Sequence, residues 1–149
     1  MTNYDDAFVS IGYDDHKHYT FMRFKKRCSS KQFRNYHYKM LDFFREKQPH
    51  QHLVDTSKMG VISLEDQQYI GKKIIPQMAR FSGEGTLYIA VIVSRDVFTK
   101  FAVQNIAKQT KALDKKEKID HQIFSNEATA VDWLTQHVQA SMKKGLSKQ

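Results

Sequence analysis

The chain has 149 residues, of which 40% are hydrophobic and 27% are charged; this composition is typical of one globular domain and excludes a disordered or collagen-like chain. The single cysteine, Cys28, excludes an internal disulfide, and no signal-peptide pattern is present, so we expect a cytoplasmic protein. No apolar run approaches the ~20 residues that a membrane span needs. The net charge of +8 could attract an acidic partner, but no nucleic-acid-binding motif accompanies it, and we do not expect a nucleic-acid partner.

The first third of the sequence predicts two strands and a helix. Apolar and polar residues alternate over residues 8–13 and 19–25, on either side of a turn-like Asp-Asp-His-Lys sequence, which predicts an antiparallel hairpin. Ser29 or Ser30 can then cap a helix, and Gln32 would complete a capping box with Ser29. Large apolar residues at helical spacing predict that this helix packs on the sheet. They are Phe33, Tyr36, Met40, Phe43 and Phe44.

The middle of the sequence predicts a strand, a helix and a second strand. Residues 52–56 form the first of these strands, and Ser63 caps a second helix that runs to about residue 80. Pro76 lies inside this helix, where it removes one backbone hydrogen bond, so we expect a bend or an early end there. Residues 87–93 are apolar without interruption, which is typical of an interior strand of a parallel sheet covered by helices.

The last third of the sequence predicts another alternation. A third helix is expected over residues 96–110, a strand over 119–124, and a fourth helix capped by Ser125. The predicted fold is therefore a single α/β domain over residues 1–149, with an ordered core over about 7–142 and a frayed C-terminal tail. An N-terminal antiparallel hairpin is followed by alternating helices and strands, giving a five-stranded mixed, mostly parallel sheet with four helices.

Short motifs in a fixed order resemble those of a known family. The motifs are Leu53-Val54-Asp55-Thr56, Ile62-Ser63 with Glu65 and Gln67, Tyr69-Ile70, Ile75-Pro76, Ile89-Ala90-Val91, Asp96-Val97-Phe98, and Phe124 with Glu127-Ala128 and Trp133-Leu134. Together they span residues 7–134 and resemble the STAS-related family of sporulation anti-sigma-factor antagonist-like proteins, in particular its short bacterial single-domain members. The resemblance implies a STAS-like fold, a five-stranded sheet with helices packed against it, and no particular enzymatic activity.

Ser63 is the residue that this resemblance connects with the regulation of partner binding. In the better-known antagonists, a serine at the start of the second helix is phosphorylated and controls partner binding, which implies Ser63 as a phosphoacceptor. The sequence Ile62-Ser63-Leu64 departs from the family's Asp-Ser-Ser-Gly-Leu signature, because neither a second serine nor a glycine follows Ser63. The sequence therefore favours a plain helix N-cap, which stabilises a helix by about 1 kcal/mol.

The histidines form no recognisable metal-binding pattern. His16 and His18 are two residues apart, as are His50 and His52. No third ligand follows at the spacing of a zinc site, so we expect surface histidines, with no metal and no cofactor. His37 lies next to the apolar stripe of the first helix and is expected to be packed and hydrogen-bonded.

Cys28 and Asp55 each have a functional and a structural interpretation. Cys28 follows three basic residues just before a helix, a setting that can lower the pKa of a thiol and make it reactive. A nucleophile also needs a base beside it, so a bland, partly buried thiol is favoured. Asp55 ends a strand, as a catalytic carboxylate often does, but hydrogen bonds with the following Thr56 and Ser57 would give it a loop-ordering role instead.

The favoured function is a non-enzymatic regulatory or protein-interaction module, which binds a protein partner or a second copy of itself. Its contact surface would be the loop before the second helix together with the first turn of that helix, because binding residues concentrate on loops held by a rigid scaffold. The expected partner-binding residues are Ser57, Lys58, Met59, Val61, Ile62 and Ser63. Met59, Val61 and Ile62 would lie near solvent; in the alternative interpretation, Val61 and Ile62 fold inward as a hydrophobic staple.

Two other functions compete with this one. The alternative is a module that binds a small apolar molecule or a lipid between its helices and its sheet, and the third is an enzyme of unknown class. A lipid binder should contain an apolar cavity, an interaction module should carry an exposed apolar patch, and an enzyme should have a cleft with convergent titratable groups. The structure can be compared with each of these expectations.

Overall fold

The computed structural model describes residues 2–60, 62–94 and 119–147, with side chains as far as residue 138. In this part of the chain, six strands form one mixed sheet, and their order in the sheet follows their order in the sequence. The strands are β1 (Tyr4–Asp5), β2 (Val9–Asp14), β3 (Tyr19–Phe24), β4 (Gln51–Asp55), β5 (Leu87–Ile92) and β6 (Ile119–Phe124). The α/β class and the mixed, mostly parallel sheet are confirmed.

The predicted count of five strands is wrong, because β1 adds a sixth at the N-terminal edge. Tyr4 pairs with Ile11 and Asp5 pairs with Ser10 in antiparallel register. β2 and β3 form the predicted antiparallel hairpin, and the pairs from β3 to β6 are all parallel. A two-residue strand is too short to show the alternation from which strands are predicted.

Three helices lie in the described part of the chain. The first is α1 (Ser30–Lys47), and the last is α4 (Glu127–Ser147). The second consists of α2 (Leu64–Tyr69), a π-helical turn (Ile70–Ile74) and α3 (Ile75–Ser82) in direct succession. The helix that the sequence predicts over residues 96–110 lies outside the described residues. No described helix is long and apolar enough to cross a membrane.

The start of α1 confirms the predicted capping box. The Ser29 hydroxyl accepts a hydrogen bond from the backbone N–H of Gln32 at 3.1 Å, and the backbone N–H of Ser29 donates to the Gln32 side chain at 2.8 Å. Two of the unpaired donors at the helix start are thereby satisfied. This fixes the direction in which α1 leaves the end of β3, and hence which of its faces meets the sheet.

A π-helical turn directly precedes the part of the helix that contains Pro76. The backbone N–H of Ile75 donates to the carbonyl of Ile70, five residues back, and Pro76 occupies the first turn of α3, where its missing N–H costs least. A wider turn before a proline lets the helix continue without the steric clash that a regular turn would impose. The predicted irregularity is confirmed, and it takes the form of a π turn rather than an end of the helix.

The sheet buries both faces, and α1 and α3 cover one of them. Parallel pairing places Thr20, His52, Ile89 and His121 in one row across β3 to β6. Because side chains two residues apart point to the same face of a sheet, the next row, which includes Val54 and Val91, faces the same way. β5 is the most thoroughly buried strand, with five of six residues buried, as its apolar sequence predicts.

The opposite face of the sheet is covered by α4. Leu134 is fully buried there against Leu53 and Ala90. Trp133 lies in edge contact with Tyr88, with ring centroids 5.6 Å apart, and packs on Phe124 at the same centroid distance. Trp133 therefore packs the last helix against the sheet. The face carrying His52 and His121 therefore belongs to the layer beneath α1 and α3.

Candidate functional site

A cavity of about 60 Å³ lies between the sheet and the helices α1 and α3. Its volume is several times the ~10–15 Å³ that admits a water molecule. The lining residues from the strands and their ends are Met22, Phe24, His52, Val54, Thr56, Ile89, Val91 and His121. Those from the helices and the loop after β4 are Phe33, His37, Met40, Met59, Ile62, Ile70, Ile75 and Met78. None of these side chains carries a permanent charge.

Flexible and aromatic side chains dominate the wall of the cavity. Methionine contributes four of the lining residues, and an unbranched thioether can adopt several rotamers and contact aromatic rings favourably. Phe24 and Phe33 stack with ring centroids 5.8 Å apart and form an aromatic part of the same wall. The cavity thus combines an aromatic side with methionine side chains that can adjust to an occupant.

His37 brings a polar group into this apolar wall from α1. Its side chain is 7% exposed, and its Nδ1 lies 2.8 Å from the carbonyl oxygen of Phe33, one turn earlier in the helix. The Phe33 ring contacts the imidazole edge-on with centroids 4.5 Å apart. Burial lowers the pKa of His37 to about 4, so the ring is neutral near pH 7. The expectation of a packed, hydrogen-bonded histidine is confirmed.

His52 is the second polar group of the cavity wall, and it corrects the expectation of a surface histidine. The side chain is 2% exposed, because the register of β4 turns it toward the layer beneath α1. Its Nδ1 lies 2.8 Å from the Thr20 hydroxyl, and its ring contacts Phe44 edge-on at 5.2 Å. Burial, followed by the neighbouring His37 and His121, lowers the pKa of His52 to about 3.

The predicted contact loop forms one end of the cavity. Met59 and Ile62 are 5% and 7% exposed, so they face inward, contrary to the expectation that they lie near solvent. The amide of Gln67 donates to the carbonyl of Ile62 at 3.0 Å and holds this part of the loop. Of the other expected residues, Lys58 is exposed, and Val61 lies outside the described residues.

The beginning of the loop is ordered by Asp55, as predicted. The Asp55 carboxylate accepts hydrogen bonds from both the backbone N–H of Ser57 at 2.9 Å and the Ser57 hydroxyl at 2.6 Å. Thr56 instead donates its hydroxyl to the carbonyl of Ile92 at 2.8 Å, which ties the loop to β5. Asp55 therefore has the loop-ordering role that its position favours.

An open cleft of about 400 Å³ lies outside this end of the cavity. Phe33, Met59 and Ile62 line both spaces, so these three side chains form the partition between them. The remaining lining residues of the cleft are Arg27, Cys28, Ser30, Ser63 and Asp66. The partition includes Met59, an unbranched side chain in a loop, which can adopt several rotamers.

Asp66 is the buried charge of the outer cleft. It is 6% exposed, and its carboxylate accepts hydrogen bonds from the Ser30 hydroxyl at 2.7 Å and from Arg34 Nε at 2.9 Å. Paired in this way, the carboxylate joins the start of α1 to the start of α2. Burial, with Asp66 and Asp6 nearby, raises the pKa of the Cys28 thiol, which is the opposite of the lowered pKa that the reactive interpretation of Cys28 requires.

Ser63 caps α2, as the sequence favours. Its hydroxyl accepts a hydrogen bond from the backbone N–H of Asp66 at 3.1 Å, and its side chain is exposed at the edge of the outer cleft. The Asp66 carboxylate bonds to Ser30 and Arg34 instead of returning to the backbone N–H of Ser63, so Ser63 and Asp66 form only one of the two bonds of a capping box. The hydrogen bond between Ser30 and Asp66 thus brings the end of the loop, at Ser63, close to the start of α1.

The described surface exposes few large apolar side chains. Only Tyr38 and Leu64 are exposed there, at 46% and 61%. The described residues also contain no group of three or more histidine, cysteine, aspartate or glutamate side chains placed to hold a metal ion. An apolar cavity is expected of a lipid binder, an exposed apolar patch of an interaction module, and a cleft with convergent titratable groups of an enzyme. Of these three, the described part of the chain contains the apolar cavity.

Sequence reasoning missed the convergence of His37, His52 and His121 on one cavity. The spacing of these residues along the chain carries no such signal, because the row that joins His52 to His121 passes through Ile89 on an intervening strand. The only sequence cue was His37 beside the apolar stripe of α1. Comparisons with protein-family models, with curated proteins and with solved structures found no match to this chain.

Proposed function

We propose that this domain is a non-enzymatic module that binds a small, mainly apolar molecule in the cavity between the sheet and α1. The observation that carries the proposal is the cavity itself, whose wall is apolar except for Thr56 and three histidines. Ligand sites are concave and mainly apolar, with a few polar groups that fix orientation. The STAS-like resemblance agrees with a regulatory role for such binding, in which an occupant would set the position of the loop after β4.

The arrangement of the loop supports a regulatory consequence of binding. Met59 and Ile62 separate the cavity from the outer cleft, so an occupant that displaces either side chain also moves the loop that ends at Ser63. Ser63 in turn caps α2. The proposal therefore links the state of the cavity to the surface at the start of α2, where the sequence places partner binding.

Filling the cavity with protein atoms tests this function. Val91→Ile adds one methylene to a lining side chain, which should stabilise the protein by up to about 0.8 kcal/mol if the group enters empty space. The same substitution should weaken binding of an apolar probe such as furan, measured by chemical-shift titration in NMR. Native mass spectrometry of the purified wild-type protein would show whether a molecule is retained, and Val91→Ile should reduce its occupancy.

Val9→Ile is the matched control for this experiment. Val9 is fully buried in the same core but does not line the cavity, so the added methylene overpacks a filled region. The control should therefore lose stability while it binds furan as the wild type does. Equal stability changes in Val91→Ile and Val9→Ile, with no furan binding by the wild type, would refute the proposal.

A protein-interaction module remains the second candidate, on the evidence of Leu64. This side chain is 61% exposed in the first turn of α2, which is part of the surface that the sequence predicts. Leu64 is a single side chain rather than an extended apolar patch, so a contact with another protein or with a second copy through it would be a small one.

Sedimentation velocity tests the self-associating form of this candidate. Leu64→Ser should weaken association without changing the melting temperature, because the side chain makes few contacts within the domain. Gln68→Ser, at an exposed position one turn further along α2, is the control and should associate as the wild type does. A wild-type protein that stays monomeric at all accessible concentrations would speak against self-association through Leu64.

A further inference from the structure

The polarity of one ring nitrogen in the cavity wall restricts the kind of molecule that fits. His37 has its Nδ1 at 2.8 Å from the carbonyl oxygen of Phe33. A carbonyl oxygen can only accept a hydrogen bond, so Nδ1 must carry the ring proton. In a neutral imidazole, the other nitrogen, Nε2, is then an acceptor with a free lone pair.

This acceptor has no hydrogen-bond partner among the described residues. The side chain of His37 makes only the hydrogen bond to Phe33 there, and 7% of its area is exposed. Nε2 is not among the fully enclosed polar atoms of the described residues that lack a partner, so the exposed part of the side chain includes this nitrogen, and a donor that reaches it there gains a hydrogen bond. His37 lines the cavity, so an occupant of the cavity is placed to supply that donor.

His52 does not restrict the occupant in the same way. Its Nδ1 faces the Thr20 hydroxyl at 2.8 Å, and a hydroxyl can either donate or accept. Thr20 also reaches the carbonyl of Gln51 at 3.3 Å, so the proton on His52 is not assigned by these contacts. Of these two histidines, His37 is therefore the one whose contacts fix which ring nitrogen carries the proton.

We infer that the molecule bound in this cavity is small, uncharged and apolar, and that it carries one N–H or O–H group that donates to Nε2 of His37. This inference rests on the proposed binding function. The absence of a permanent charge in the wall excludes an ionic occupant, because an unpaired charge is costly to bury. The volume of about 60 Å³ is below the ~150 Å³ of an apolar cavity that takes up benzene, which favours a five-membered ring or a shorter chain.

Pyrrole and furan form the matched pair of probes for this inference. The two rings have nearly the same size and shape, but pyrrole presents an N–H donor where furan presents an oxygen. A neutral hydrogen bond to an otherwise unpartnered acceptor should make pyrrole bind about fivefold more tightly than furan. Both dissociation constants can be measured by chemical-shift titration in NMR, and pyrrole should also shift the ¹⁵N resonance of His37 Nε2.

Two variants assign the preference to His37. His37→Phe keeps a ring in the same wall but removes the acceptor, so pyrrole and furan should bind equally. His137→Phe is the control, because His137 stacks on Tyr88 at 3.7 Å on the opposite face of the sheet, and it should keep the fivefold preference. If His37→Phe does not fold, the wild-type ratio and the Nε2 shift still decide the matter.

The outcomes separate this inference from the proposed function. Equal binding of pyrrole and furan by the wild type overturns the inference but leaves an apolar binding cavity. A pyrrole preference that persists in His37→Phe also overturns it, and it would transfer the acceptor role to another group such as His52. Binding of neither probe overturns both the inference and the proposed function.

Discussion

Two histidines that stay neutral in the folded protein make its stability depend on pH. Burial lowers the pKa of His37 to about 4 and that of His52 to about 3, whereas both rings titrate near 6.5 in an unfolded chain. Between pH 6.5 and 4, the unfolded chain therefore binds about two more protons than the folded one. The free energy of unfolding should fall as the pH falls through this window, with a slope that approaches about 2.7 kcal/mol per pH unit.

Urea unfolding at pH 7, 6 and 5 measures this slope. His37→Phe should remove about half of it, because one of the two neutral rings is then absent from both states. His16→Phe, at an exposed position in the β2–β3 turn, should leave it unchanged. Asp6, whose pKa hydrogen bonds bring to about 2 against the opposing effect of burial, acts only below about pH 4 and does not interfere. An unchanged slope in His37→Phe would contradict a neutral buried His37.

At the scale of the element, the cap of α2 is the most easily tested contact. Ser63→Ala should cost about 1 kcal/mol, because it leaves the backbone N–H of Asp66 without its acceptor. Ser63→Asp should be tolerated, since aspartate caps as well as serine and favours the positive end of a helix. Thermal unfolding measures both, and Ser29→Ala, which breaks the full capping box of α1, provides the comparison. Stoichiometric phosphate on Ser63 in native material would instead favour the phosphoacceptor interpretation.

Elements with a clear period could be predicted from the sequence, and irregular ones could not. The β2–β3 hairpin alternates over about six residues on each side, so both of its strands were predicted to within about a residue, and the start of α1 was predicted at its capping serine. Pro76 signalled an irregularity, but the same signal fits a kink, an end or a π turn, and only the contacts around Ile70 and Ile75 decide among them. β1 has no pattern long enough to detect.

At the scale of the whole molecule, the cavity depends on relations that no local pattern contains. The burial of His52 follows from the register between β4 and its two neighbours, whereas its spacing from His50 suggested a surface pair. The inward position of Met59 similarly follows from the space left between α1 and the sheet. Asp55 and Ser63 could be placed correctly because their partners lie within a few residues along the chain.

The order of the strands has a consequence for how the site comes into being during synthesis. Each strand pairs with the strand next to it in the chain, so β1 to β4 can form their part of the sheet from the first 55 residues, with the crossover through α1 as the longest connection to close. The cavity, however, takes Ile89 and Val91 from β5 and His121 from β6. During synthesis, His37 and His52 therefore emerge well before the strands that complete the wall of the cavity. The chain becomes able to hold a ligand only once residue 121 has left the ribosome.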